Sequence, residues 1–402
     1  MTRVFIPPPC TDTMRICGII AEYDPFHNGH AWQMAEARRL TGADYIVCVM
    51  SGCFTQRGMP ALLPPHARAE MALRNGADIV LQMPVSFSLG DGERFAAGGV
   101  HILRQMGAEF LCFGAEPEGI SIIADAARFL EQPDQAYTQR LHVLLDSGLP
   151  FPAAQGAALA EALHIDPAAL ALPNTALAIC YARANLRLNA GLQLVPVPRR
   201  GRYHDAVLHA ESALPSATAV REALMSGKWE QIKSAVPDSC YPLLQNAFES
   251  GGYHAPEALD QLLRWTLRES GDFANLPNLS EGLENRLPLA ADACTRDAMI
   301  RCIKSKRYSY ARISRLMAHA LLHTEANRLS SLPEHAYILG FRKDASSLLH
   351  AKNSSSFSLW PSLPPGQCTY DAELDARADA LWALGANQPF GTIYRKKPVI
   401  LP

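Results

Sequence analysis

The sequence predicts an α/β fold: an N-terminal domain built on a parallel sheet, followed by a mainly helical C-terminal domain. Three observations carry this. A Gly-Ala-acid triplet recurs ahead of an apolar run, at Gly42-Ala43-Asp44 before YIVCVM, Gly76-Ala77-Asp78 before IVLQMP and Gly107-Ala108-Glu109 before FLCFG. A glycine just past a helix takes the left-handed conformation that closes it, and the β-rich run behind it reads as a buried strand. Helix-like stretches separate these runs, and such alternation gives a parallel sheet covered on both faces. Beyond residue 216 the strand pattern stops and helical stretches take over.

In chain order, residues 1–13 (MTRVFIPPPCTDT) form a loose extension without the long apolar stretch of a signal peptide. RICGIIA then gives a strand at 15–21, followed by a helix near 29–41 and a strand at 44–50. Helix 66–75, strand 78–83, helix 92–106 and strand 109–113 follow. Helical segments span about 119–190, and LQLVPV supplies a fifth strand at 192–197. Helices are then expected at 216–228, 255–270, 288–303 and 309–325, ahead of a less regular end rich in Pro, Ser and Gly. The expected division is an α/β domain at 14–228, a helical domain at 229–385 and an irregular tail at 386–402.

The 402 residues suggest two or three domains at roughly 150 residues each. With 48% apolar and 19% charged residues, disorder throughout and a charged coiled coil are both excluded. No apolar run reaches the 18 or so residues of a membrane span, so neither a membrane nor a protein partner is implied. None of the ten cysteines has C-x-x-C spacing, and several lie inside apolar runs, as reduced core thiols of a cytoplasmic protein do. The net charge of −2 conceals an asymmetry. Between Arg296 and Lys352, eleven basic residues face four acids, a net +7, leaving −9 for the remainder. The segment Lys304, Lys306, Arg307, Tyr308, Tyr310, Arg312, Arg315 suits RNA phosphate contacts with base stacking, and it equally suits a solvated helix face.

The chemistry-bearing motif follows the first strand: Glu22-Tyr23-Asp24-Pro25-Phe26-His27-Asn28-Gly29-His30. The carboxyl end of a strand at a sheet crossover is where ligands sit, and the next helix offers free N–H groups to an anion. His27 and His30, three apart, can aim both rings at one phosphate, while Gly29 leaves room for a nucleotide. The H-x-G-H pattern resembles that of nucleotidyl-transfer enzymes, which hold ATP phosphates with both histidines. Ser216-Ala217-Thr218-Ala219-Val220-Arg221 resembles a second signature of that superfamily. There Ser216, Thr218 and Arg221 are candidates for the outer phosphates; a plain capped helix explains the same residues.

Longer runs make the resemblance specific. GIIAEYDPFHNGH (18–30), SGCFTQRGMPALL (51–63), ARAEMALRNGADIVLQMPV (67–85), CFGAE (112–116), LPNTAL (172–177) and RYHDAVL (202–208) are similar to motifs of the tRNA(Met) cytidine acetate ligase family. YARISRLMAHALL (310–322) and AYILGFRKDA (336–345) extend the likeness. The family usually has asparagine where this chain has Asp24, an acid that would either weaken ATP binding or face solvent.

The resemblance implies a Rossmann-like nucleotidyltransferase domain and a reaction in two steps. Acetate attacks ATP, with Mg2+ expected alongside it, to form acetyl-adenylate. The acetyl group then passes to N4 of the wobble cytidine of elongator tRNA(Met). His27 and His30 become the catalytic residues. The implied ATP-binding set is Ile20, Ala21, Glu22, Tyr23, Pro25, Phe26, His27, Asn28, Gly29, His30, Gly114, Asn174 and either Arg199 or Arg200. Gly114 also fits a plain turn, and Asn174 a helix N-cap. Gln56 and Arg57 are candidates for acetate or tRNA contacts, and Lys304, Lys306, Arg307, Arg312 and Arg315 for tRNA. Tyr203, His204 and Asp205 suit either the site or a structural cluster. No residue set presents itself as a protein-held metal site. The competing expectations are a small-molecule adenylyltransferase and a non-catalytic RNA-binding relative.

Overall fold

A computed structural model describes residues 14–199, 215–269, 273–279, 282–306, 308–350, 357–363, 369–391 and 395–402. Arg200, Tyr203, His204, Asp205, Arg307 and the extension 1–13 lie outside the described residues. The apolar runs become β1 (Ile16–Ala21), β2 (Tyr45–Ser51), β3 (Ile79–Met83), β4 (Phe110–Ala115) and β5 (Gln193–Pro198). These five pair in parallel in the order β5-β4-β1-β2-β3. Alternate strand residues feed two different cores, because successive side chains leave opposite faces of a strand. Ile16, Ile20, Val47, Val49, Ile79 and Leu81 pack on one side, while Cys17, Ile19, Ile46, Cys48 and Val80 pack on the other. That is why the runs read as continuously apolar. Cys17, Cys48 and Cys112 are fully enclosed free thiols.

The helices α1 (Asn28–Thr41), α2 (Pro65–Arg74), α3 (Val85–Ser88) and α4 (Gly92–Gln105) connect the first four strands. Gly42 closes α1 at φ 59, as its position after the helix predicts. Between β4 and β5 lie a 3₁₀ turn (Pro117–Ile122), α5 (Ile123–Glu131), α6 (Gln135–Asp146), α7 (Phe151–Leu163), α8 (Pro167–Leu170) and α9 (Pro173–Arg187). The chain runs β1-β2-β3 to one side and then returns to place β4 on the other side of β1. This reversal opens a crevice beyond the carboxyl ends of β1 and β4, where open α/β sheets bind ligands.

The second half begins with α10 (Ala217–Met225), α11 (Trp229–Ala235) and α12 (Tyr241–Glu249), which cover the α1 face. Then come α13 (Asp260–Glu269), α14 (Leu283–Ala290), α15 (Arg296–Ile303) and α16 (Tyr310–Leu322). The helix expected over 288–303 is broken between α14 and α15, where the Thr295 hydroxyl accepts the Ala298 N–H and restarts the chain.

The expectation that strands end at residue 216 is corrected. β6 (His335–Arg342) pairs antiparallel with β3 and extends the same sheet, and β7 (Ser358–Trp360) and β8 (Val399–Leu401) pair with β6. Six of the eight β6 residues are buried, leaving no alternation to distinguish it from a buried helix. β7 and β8 have three residues each, too few for a period to register. Between α16 and β6 runs no regular helix beyond a short 3₁₀ turn at Ala326–Arg328, and α17 (Ser346–His350) follows β6.

The irregular end expected before residue 386 also contains α18 (Tyr370–Gly385). Its acids Asp371, Asp375 and Asp379 are as buried as Leu374, Ala378 and Trp382, so no polar stripe marks it as amphipathic. A third core joins α13–α16 and α18 to Cys53, Phe54, Val85 and Leu89 of the first half.

Candidate active site

A cavity of about 510 Å³ opens at the crevice beyond β1 and β4, within the range of small-molecule sites. The Glu22–His27 turn carries the chain from β1 into α1 through a cis Asp24–Pro25 peptide. His27 is the N-cap of α1, and its Nδ1 accepts the Gly29 N–H at 3.0 Å. His30 Nδ1 in turn accepts the His27 N–H at 3.3 Å. Each Nδ1 is therefore an acceptor, which leaves the proton of the neutral ring on Nε2. The rings stack with centroids 3.8 Å apart. Burial, aided by Arg199 and Arg221, pushes His27 down to about 3; burial, His27 and Arg199 hold His30 well below the usual histidine range. The result is a pair of neutral N–H donors in one cavity wall. Gly29 serves this stack: a Cβ there would lie 2.9 Å from the His27 ring.

Arg221 reaches across from α10. Its guanidinium donates to the Asp24 carbonyl at 2.5 Å and lies 3.4 Å from the Asp24 carboxylate. Asp24 itself is 6% exposed and also accepts the Leu62 N–H at 2.8 Å. It neither faces solvent nor stands as an unmet charge in the cavity wall. Ser216 is the N-cap of α10, accepting the Ala219 N–H, and Thr218 accepts from Arg221 at 3.3 Å. Ser216, Thr218 and Arg221 all line the cavity, so the helix start and the arginine share one wall.

The opposite wall is a relay of three residues. Glu116 accepts from both nitrogens of Asn174 (3.2 and 2.7 Å) and from the Thr175 N–H and hydroxyl (2.8 and 2.9 Å). Burial acts to raise the Glu116 carboxyl, yet these hydrogen bonds hold it below the usual range. Glu116 thus caps α9 from outside; Asn174 is not the N-cap, because Leu172 occupies that position and Asn174 lies inside the helix. The Asn174 side-chain oxygen accepts from Arg199 at 3.4 Å. Arg199 runs along Gly114, where a Cβ would touch it at 3.5 Å. Of the two candidate arginines, Arg199 is the one the cavity contains among the described residues.

The floor and rim come from Glu22 and the segment after β2. Glu22 accepts the Gln56 N–H at 2.6 Å, and burial raises its carboxyl. Gln56 and Arg57 line the cavity on a turn fastened by the second half of the chain. Arg296 donates to the Gly58 carbonyl, Arg315 to Gln56 O at 3.3 Å, Trp382 to Ala61 O at 2.6 Å and the His254 N–H to Leu62 O at 2.8 Å. Sequence reasoning overlooked Arg68. Fully enclosed, it donates to the carbonyls of Leu63, Glu22, Ser51 and Gly52, tying the ends of β1 and β2 together. The available signal was an arginine inside the apolar face of α2.

A model of the HIGH nucleotidyl transferase family matches residues 14–393. The chain belongs to that family. It is similar to proteins named tRNA(Met) cytidine acetate ligase: 32% identical to that of Clostridium tetani over 96% of this chain and all of the relative. The one from Thermosipho africanus is 34% identical over 86% of this chain and 84% of its own. Among solved structures, apo TmcAL of Thermotoga maritima superposes with a TM-score of 0.88 at 26% identity, covering 96% of this chain and all of that one. The same protein bound with alpha-thio ATP gives 0.86 over the same coverage.

Within this HIGH nucleotidyl transferase, the remaining expected residues divide by location. Ile20, Ala21 and Tyr23 line the cavity, whereas Pro25 and Phe26 do not; Phe26 is a core residue in contact with the Tyr23 and His30 rings. Asn28 donates to the Ser234 carbonyl at 2.9 Å and so pins α1 to α11. In the basic segment Lys304 and Lys306 are exposed. Tyr308, expected as a stacking platform, is buried in the helical core beneath the Arg312 guanidinium. Arg312 donates to Asn278 O at 3.0 Å, and Arg296 and Arg315 are spent on the Gln56–Gly58 turn. The +7 window therefore overstates the charge displayed to a partner.

Proposed function

We propose that this protein is an ATP-dependent ligase that activates acetate as acetyl-adenylate and acetylates N4 of the wobble cytidine of elongator tRNA(Met). The observation carrying this reading is the pair of neutral Nε2–H donors at the β1/β4 switch point, in a fold whose structural relative was solved with alpha-thio ATP. Acetate attacks the α-phosphorus and pyrophosphate leaves. Both imidazoles then donate to phosphate oxygens whose charge grows in the transition state, with Arg199, Arg221 and the α10 N-terminus placed around the same anion. Neutral donors suit this role because they stabilise charge without having to lose or gain a proton first. Gly114, Asn174 and the β1 end would hold the nucleoside.

Among the described residues, no three His, Cys, Asp or Glu side chains converge as metal ligands, so Mg2+ is proposed to arrive on the ATP phosphates and to be held mainly by them. No helix among the described residues is long and apolar enough to cross a membrane, and a cytoplasmic site of action is part of this proposal. The test is incorporation of labelled acetate into tRNA(Met) with ATP. The expected outcome is acetate in RNA with one pyrophosphate released per acetyl group. Transfer of AMP to a small acceptor with release of pyrophosphate, and no label in RNA, would instead identify a small-molecule adenylyltransferase.

A further inference from the structure

Transfer of the acetyl group creates a proton problem that the phosphate-binding residues do not solve. The cytidine N4 lone pair attacks the acetyl carbonyl carbon, a C–N bond forms, the C–O bond to AMP breaks and AMP leaves. The amine must shed one proton, and an aromatic amine is a weak nucleophile until that proton has somewhere to go. The titratable groups of the cavity wall can be taken in turn. His27 and His30 have Nδ1 filled by backbone N–H groups, so each presents only a donor to the cavity. Asp24 has one oxygen on the Leu62 N–H and the other facing Arg221. His254 Nε2 lies so close to the Gly385 backbone that no side chain fits there, and Glu222 is exposed at the rim. Tyr23 and Tyr181 are buried phenols held neutral, because burial raises both far above the usual range.

Glu22 is what remains. It stands just past the end of β1, in the same cavity lining as the histidine pair and bonded to the Gln56–Arg57 turn. We propose that Glu22 is the general base that takes the proton from the cytidine N4 amine during acetyl transfer. This role rests on the ligase reading above and goes beyond nucleotide contact. Burial, with Asp24 acting in the same direction, raises the Glu22 carboxyl against the opposing pull of the Gln56 N–H, Arg57 and Arg221, and a raised carboxyl is a stronger base. The Gln56 N–H holds it in place. After transfer, the proton passes from the carboxyl to water and the carboxylate is regenerated.

The experiment supplies chemically made acetyl-adenylate and tRNA(Met) to the full chain and follows acetyl transfer in a single turnover, from about pH 5 to 9. Wild-type protein should transfer, with a rate that climbs about tenfold per pH unit until the base is ionised and then levels. Glu22→Gln keeps an oxygen acceptor for the Gln56 N–H but cannot take a proton. Its transfer rate should drop on the order of 10²–10⁴-fold and lose the pH-dependent limb. Transfer by Glu22→Gln at the wild-type rate overturns the assignment and leaves the AMP phosphate as the proton acceptor. Failure of the wild type to transfer at all, in protein whose thermal melt is normal, would strike the ligase reading instead.

Discussion

At the scale of single residues, the site depends on what fills each histidine's Nδ1. A backbone N–H on Nδ1 sets the tautomer, aims Nε2–H into the cavity and makes protonation costly, since the second proton would displace that hydrogen bond. His27→Asn separates these jobs. Asparagine is a good N-cap for α1, so the helix start is preserved, but no donor reaches the phosphate. Acetate-dependent ATP–pyrophosphate exchange should fall about 10²–10³-fold while the melting temperature at pH 8 stays close to wild type. The pH dependence has a definite sign. His27 is held at about 3 when folded, below the ordinary value of 6.5, so the unfolded chain binds the extra proton first. Its contribution to stability is complete above about pH 6.5 and is lost progressively as pH falls toward 3. Melts of the ligand-free protein should therefore weaken over that range, and His27→Asn should shallow the loss by up to about 1.4 kcal/mol per pH unit. Equal slopes for both proteins would show that His27 is not held neutral by the fold.

Among the elements, legibility followed burial pattern. The five parallel strands, α1, α2 and α4 were readable because continuous apolar runs alternate with helical stretches, and a glycine closes the helix ahead of three of those runs. β6 and α18 were not, since a run buried on all sides has no period and buried acids erase a polar stripe. The histidine motif was legible in the same way, but the partners of Gln56 and Arg57 were not. Arg296, Arg315 and Trp382 come from α15, α16 and α18, more than 200 residues away in sequence, and only the fold brings them to this turn. Gly58 shows how tightly it is held: it sits at φ +76, and a Cβ there would run into the Ser314–Arg315 backbone. Gly148, at φ +88 between α6 and α7, has nothing within 4 Å and isolates the backbone strain alone. Gly148→Ala should cost about 1 kcal/mol and leave exchange intact. Gly58→Ala should cost more, up to about 3 kcal/mol, and reduce exchange as the turn shifts, measured by denaturant unfolding alongside the exchange assay. Similar costs for the two variants would mean the turn is not clamped.

Across the whole molecule, the two halves expected as separate domains share a sheet and a cavity. β6 lies against β3, and a chain cut near 228 would leave that β3 edge bare and the Gln56–Gly58 turn without its guanidinium clamps. The second half thus builds the active site as well as any surface for RNA. Charge tells the same story on a larger scale. Among its described residues, the basic window read from the sequence contains arginines that brace the Gln56–Gly58 turn (Arg296, Arg315), arginines paired with acids (Arg301 with Asp297, Arg328 with Glu325 and Glu373, Arg342 with Asp344), and the exposed Lys304, Lys306 and Lys343. The exposed lysines have charge to offer to phosphates without first dismantling structure. Each lysine that neutralises an RNA phosphate releases a counterion, which steepens the salt dependence of binding by a fixed increment. Lys304→Ala with Lys306→Ala should therefore weaken tRNA binding and reduce the slope of log affinity against log salt by about 1–2, with unfolding unchanged. Arg296→Ala should do the opposite: a melting temperature several degrees lower, because a buried brace is gone, with no change in that slope. If the lysine pair leaves the slope intact, the tRNA lies elsewhere and these lysines only solvate the end of α15.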